Sequence, residues 1–291
     1  MALPTSVAEL TETLRRGAYL ADRGLATAVH VALSLQRPLL LEGEPGVGKT
    51  EIAVVLARVL GRELIRLQCY EGIDTNQALY EWDHARQLLH IRATGERDAG
   101  GEDAVRALFG PDFLLERPLL HAVRAGDTAV LLVDEIDRAD DEFEAFLLEL
   151  LSDFQITVPE IGTIRAPSPP LVVLTSNRTR ELHDALRRRC LYHWIDYPTR
   201  DREIEIVTVR RPEVGVELAR KVVAAVHRLR ELDLAKPPGV AETIDWARTL
   251  DFLGEHDLTP DAVDLTLGSV LKDREDLELA RENLDEIAGG R

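Results

Sequence analysis

The run GEPGVGKT at residues 43–50 constrains the fold more than any other stretch of the chain. It fits the spacing G-x-x-x-x-G-K-[ST] through Gly43, Gly48, Lys49 and Thr50, with the apolar LLLE before it and the helix-patterned EIAVVLARVLG after it. A strand that turns sharply into a helix needs glycines where the backbone curls, and the curl points successive N–H groups inward. The helix start adds its partial positive charge, so a cradle for a polyphosphate is expected. On this reading Gly43, Glu44, Pro45, Gly46, Val47, Gly48, Lys49 and Thr50, with Glu51 directly behind them, form a nucleotide-binding run. Lys49 is expected to reach the β and γ phosphates, and the Thr50 hydroxyl to ligate Mg²⁺. The plainer alternative is a glycine-rich turn with no ligand.

Nucleotide hydrolysis also needs an acidic residue at the tip of a neighbouring strand, and AVLLVDEID at 129–137 supplies two. Its apolar run predicts a buried strand from which Asp134 and Glu135 emerge. Asp134 is read as holding Mg²⁺ through its water shell, and Glu135 as the general base that polarises the attacking water. A core strand ending in solvated acids is the alternative. LVVLTSN at 171–177 ends a further apolar strand on Asn177. An asparagine there is either a turn former or an amide that holds the water near the γ-phosphate. The second role requires this strand to lie between the acidic strand and the one leading into the phosphate loop.

Composition narrows the partners. The 291 residues carry 52 acidic against 35 basic side chains, a formal net charge of -17. Such a chain repels phosphate backbones, which argues against general nucleic-acid binding. Within that acidic background, DALRRRC at 184–190 sets Arg187, Arg188 and Arg189 side by side. They are either solvated cations favoured by a helix C-terminus or groups that serve an anion brought to them. The longest apolar run, AVLLV at 129–133, falls far short of the roughly 20 residues that cross a bilayer, and MALPTSVAEL lacks a signal peptide's pattern. A cytoplasmic protein without a membrane span is expected, with Cys69 and Cys190 as reduced core thiols.

Two textures divide the chain. Up to residue 198, short apolar runs alternate with helical stretches, the pattern of an α/β domain whose mainly parallel sheet lies between helices. From 199 to 291, apolar residues recur at three- and four-residue spacing between prolines, which predicts a small all-α domain. Inside the first part, residues 70–105 are read as an insertion, mobile over the polar, glycine-rich 93–105. FQITVPEIGTIRA at 154–166 is read as a β-hairpin. Tyr80 and Trp82 are either anchors for a partner or local core.

Taken together, GEPGVGKT, LLVDEID, LTSN and DALRRRC, followed by a helical segment, resemble the AAA+ ATPases over essentially the whole chain. The stretches YEGIDTNQALYEWDHARQLLHIRATGE and GPDFLLERPLLHAVRAGDTAVLLVDEIDRAD, with the hairpin, resemble the MoxR type within them. LRRRCLYHWIDYP and ETIDWARTL resemble the branch that matures molybdenum-copper carbon monoxide dehydrogenase. The resemblance implies a P-loop AAA+ domain with an all-α lid, ATP and Mg²⁺ as cofactors, and a homo-oligomeric ring, usually a hexamer, with active sites between subunits. It implies that an arginine at the end of the helix after the asparagine strand enters the neighbour's ATP site. Arg189 is that candidate, with Arg188 in reserve. Arg248 in the lid takes the place of a second sensor that touches the γ-phosphate, unless it is an ordinary helix-surface arginine. The resemblance further implies a remodelling chaperone that works with a von Willebrand A-domain adaptor on a client metalloenzyme. A magnesium-chelatase-like motor subunit, a nucleic-acid-linked AAA+ ATPase and a nucleotide-gated switch that barely hydrolyses stay open beside it.

Overall fold

The computed structural model describes residues 3–94 and 106–289. Two compact units form: Met1–Gly17, Ala21–Glu42 and Thr50–His193 make one, and Ala18–Leu20, Gly43–Lys49 and Trp194–Arg291 the other.

From its amino end the chain forms α1 (Val7–Arg16), α2 (Arg23–Leu35), β1 (Leu39–Gly43), α3 (Lys49–Leu60) and β2 (Glu63–Gln68). Next come α4 (Thr75–Leu79), β3 (Tyr80–Trp82), α5 (His84–Thr94), β4 (Leu114–Glu116), α6 (Pro118–Ala125), β5 (Ala129–Asp134) and α7 (Asp141–Asp153). Strands β6 (Gln155–Val158), β7 (Gly162–Arg165) and β8 (Leu171–Ser176), helix α8 (Asp184–Arg189) and strand β9 (Leu191–Ile195) follow.

The five-stranded sheet has the order β2-β5-β8-β1-β9, and β2/β5, β5/β8 and β8/β1 all pair in parallel. The sequence explains the order. AVLLVD and LVVLTS are buried at every position, as strands covered on both faces must be, whereas ELIRLQ in β2 alternates and takes an edge. Strand β8 therefore lies between β5 and β1, the arrangement that a working Asn177 requires. Leu131, Val133 and Leu174 share one core with Leu119 and Leu120 of α6 and Phe143, Leu147 and Leu150 of α7. Each such fully buried side chain stabilises by about 1.5–3 kcal/mol. Asp140 caps α7 by accepting the Phe143 N–H at 2.8 Å, which fixes where the chain turns after the acidic strand.

Strands β6 and β7 pair antiparallel from Gln155↔Arg165 to Val158↔Gly162, and β3 pairs antiparallel with β4. Trp82 stands edge-on to Phe109 at 5.3 Å and to Tyr80 at 6.1 Å, and both Trp82 and Tyr80 pack against the main core. Local core is thus the reading that fits these two rings. Of the stretch expected to be mobile, residues 95–105 lie outside the described residues. Cys69 and Cys190 are buried free thiols, each pushed up to about 12. Burial dominates in both; Asp134 adds to it at Cys69, while Arg37 opposes it at Cys190.

The second unit is helical beyond β9: α9 (Arg200–Arg210), α10 (Val216–Glu231), α11 (Val240–Leu253), α12 (Pro260–Val270), α13 (Arg274–Glu282) and α14 (Leu284–Ala288). Val222, Val226, Trp246, Leu250, Val263 and Leu267 share its core, and the buried Trp246 indole N–H donates to Thr266 Oγ1 at 2.7 Å. Glu203, without solvent exposure, receives two 2.8 Å bonds from the Arg230 guanidinium and one of 2.6 Å from Thr243 Oγ1. A buried carboxylate persists only with partners of this kind. No helix among the described residues is long and apolar enough to cross a membrane.

Candidate functional site

The glycine-rich run closes on itself within the second unit. Lys49, 6% exposed, donates from Nζ to the carbonyls of Gly43 and Glu44, both at 2.7 Å. Gly46 has φ +76°, and a Cβ there would come within 3.0 Å of the Gly239 Cα. A side chain at Gly43 would meet the Ile195 carbonyl oxygen at 2.3 Å. These two positions show why the motif spells glycine. The start of α11 adds to the loop: the Val240 and Ala241 N–H groups donate to the Gly46 carbonyl at 3.1 and 3.3 Å. Glu242 accepts the Gly239 N–H at 2.9 Å, and Tyr19 donates its hydroxyl to the Gly48 carbonyl at 3.3 Å. Glu44 and Pro45 are exposed, Val47 is buried, and Glu51 lies on α3 at 4.0 Å from Arg58.

Thr50, next in the chain after Lys49, belongs to the first unit. There its Oγ1 donates to Asp134 Oδ1 at 2.9 Å. Asp134 is 2% exposed at the tip of β5, and its other oxygen takes Arg66 Nη2 at 2.5 Å. Thr175 in β8 links the two acids, since its hydroxyl donates to Asp134 Oδ1 at 2.5 Å and accepts the Glu135 N–H at 3.0 Å. Glu135 has left-handed backbone torsions, φ 55° and ψ 49°, which turn the chain out of the strand, and its carboxylate pairs with Arg138 Nε at 2.9 Å. Asp137, 2% exposed, accepts the Asn177 N–H at 3.2 Å, the Thr179 N–H at 2.9 Å and the Thr179 hydroxyl at 2.7 Å through one oxygen. The half-buried Asn177 is thereby tied to the loop that follows the acidic strand.

Thr50, Asp134, Glu135 and Asn177 are therefore joined through two intermediaries, Thr175 and Asp137, that the motifs did not single out. The signal for Thr175 was present: it stands two residues before Asn177, near the end of the same apolar run. The hydroxyl of Thr50 against a buried carboxylate oxygen is a hard-oxygen donor set, which suits Mg²⁺.

The arginine run divides its labour. Arg187 Nη2 lies 4.0 Å from Glu42 Oε2, and its guanidinium sits over the Tyr192 ring at 5.6 Å. Arg189 is exposed and reaches the Ser152 hydroxyl. Arg188 is exposed, and its guanidinium makes no ion pair or hydrogen bond among the described residues. Arg248 is exposed in α11, eight residues beyond Val240, or about 12 Å along the helix axis from the end that bonds the loop. The structure brings Gly239 and Glu242 to the phosphate loop.

The family described as AAA domain (dynein-related subfamily) matches residues 38–190, a stretch that runs from β1 to the last of the arginines. The gas vesicle ATPase GvpN of Haloferax mediterranei is 26% identical over 269 residues, covering 89% of this chain and 75% of that protein. Protein NorQ of Paracoccus denitrificans is 26% identical over 196 residues, 65% of this chain and 63% of that one. Among solved structures, a mutant form of RuvB from Thermotoga maritima superposes with a TM-score of 0.52 at 18% identity, over 99% of this chain and 81% of the other, and shares the fold. The chain therefore belongs to the AAA domain family in its dynein-related subfamily, and it is an AAA+ ATPase of the MoxR-like kind that uses ATP with Mg²⁺.

Proposed function

We propose that this ATPase works as a ring-forming remodelling chaperone that matures or activates a partner enzyme, with a molybdenum-copper carbon monoxide dehydrogenase as client. The observation that carries its chemistry is the Thr50–Asp134–Thr175–Glu135 chain of hydrogen bonds. In this reading Gly43–Lys49 hold the phosphates, and Thr50 and Asp134 hold Mg²⁺, which when bound neutralises phosphate charge. Glu135 takes the proton of the attacking water, and Asn177 steadies that water. Residues 199–291 act as the lid. Of the two arginines offered to a neighbouring subunit, the exposed Arg188, whose guanidinium has no partner among the described residues, is the better placed, with Arg189 beside it. The client reading draws support from the local wording LRRRCLYHWIDYP and ETIDWARTL.

Turnover measured with purified carbon monoxide dehydrogenase apoprotein and an A-domain adaptor tests the client, with DNA and RNA as separate additions. A rise on adding the protein partners, with none on adding nucleic acid, is expected. Stimulation by DNA or RNA alone would replace this reading with that of a nucleic-acid-linked motor.

A further inference from the structure

Helix α8 has six residues, too few to persist in water without tertiary support, and its last carbonyls have no partner within the helix. Arg37 supplies one. Its Nη2 donates to the carbonyls of Arg188 at 3.1 Å, Arg189 at 3.0 Å and Cys190 at 3.4 Å, while its Nε donates to Arg189 at 3.3 Å. A planar guanidinium can bridge several carbonyls at once, and the helix C-terminus is where a cation is electrostatically welcome.

Arg37 stands just ahead of β1, and a second tie joins the far end of that strand to the same helix. Glu42 is 2% exposed, its Oε2 has no hydrogen-bond partner among the described residues, and Arg187 Nη2 stands 4.0 Å away. Between them the Leu191 N–H donates to the Pro38 carbonyl at 2.8 Å. The helix that carries the arginine run is thus fastened at both ends of β1, the strand that continues into the phosphate loop of the same chain.

We infer that Arg37 is a positioning residue that holds α8 so that its exposed arginines reach the ATP site of the next subunit. The inference rests on the reading of Arg188 or Arg189 as the group donated in trans. Arg37 touches no nucleotide itself; it sets the direction in which the run leaves the helix. Lysine cannot replace it fully, because an ammonium has no second nitrogen to make the Nε bond to the Arg189 carbonyl alongside those of Nη2.

The test compares full-length Arg37→Ala and Arg37→Lys with Arg188→Ala and Arg189→Ala. For Arg37→Ala, affinity for a fluorescent ATP analogue stays within about twofold while turnover at saturating ATP falls by about tenfold or more, part of the 10³ to 10⁵ that such an arginine supplies. Arg37→Lys lies between. Mixing Arg37→Ala with Lys49→Ala subunits, whose arginine run is intact, restores part of the turnover. Unchanged turnover in Arg37→Ala, alongside a collapse in Arg188→Ala or Arg189→Ala, overturns the inference and leaves the trans arginine standing. Joint loss of ATP affinity and turnover with no recovery in mixed rings reduces Arg37 to a structural role and overturns it too. Normal turnover in both Arg188→Ala and Arg189→Ala removes the underlying reading, and the inference with it.

Discussion

A single hydroxyl organises the acidic end of β5. Thr175 Oγ1 donates its proton to Asp134 and accepts the backbone N–H of Glu135, so one side chain sets together the acid proposed to hold the metal and the residue proposed as base. Thr175→Val keeps the shape and leaves the Glu135 N–H without its partner, a loss of about 1–3 kcal/mol. Expressed in the transition state, that amounts to about tenfold or more in turnover, with ATP affinity little changed and Thr175→Ser recovering most of the activity. Steady-state kcat and KM for the two variants decide it; equal effects of Val and Ser would contradict the role. The cysteines give a pH dependence. Both thiols rise in the fold from 9.0 to about 12, so the folded chain keeps protons that the unfolded chain releases above pH 9. Their contribution to stability is whole below that pH and is lost as pH climbs toward 12. Melting temperatures should fall more steeply above about pH 9 in the unmodified chain than in Cys69→Ala/Cys190→Ala, and identical slopes would refute the assignment.

At the scale of elements, the phosphate loop and the start of α11 meet through two glycines. A Cβ on Gly239 would lie 2.7 Å from the Gly46 Cα and 2.8 Å from the Pro45 carbonyl oxygen, both backbone atoms that cannot swing aside. Gly239→Ala is therefore expected to weaken ATP affinity by about tenfold while far-ultraviolet circular dichroism stays unchanged. Nucleotide titration by fluorescence checks it, and unaltered affinity would show that the loop does not depend on this contact. The strands, the hairpin and the P-loop helix were legible from sequence because each is a local pattern: an unbroken apolar run, an alternating run, a glycine-bounded turn. The partners were not. Gly239 and Glu242 reach Gly46 from a helix far away in the chain, and nothing in PPGVAET announces that meeting. Arg37 likewise reads as an ordinary residue ahead of a strand until α8 is placed beside it.

At the scale of the whole molecule, the AAA+ fold and its nucleotide chemistry were readable because strand–loop–helix and strand–acid patterns tolerate few alternatives. The client was not, since partner surfaces leave no periodic trace in one sequence. If each ATP site borrows an arginine from a neighbour, a monomer is an incomplete enzyme. Specific ATPase activity should then rise with protein concentration in step with assembly measured by sedimentation, while activity per chain that is independent of dilution would contradict a shared site. We propose that Glu135, held in its turn by Thr175, is the base that activates water. ATP binding and turnover in Glu135→Gln decide it. Binding within about twofold of the unmodified chain, with turnover lower by about a hundredfold or more, is the predicted result. Turnover that survives the substitution would contradict it.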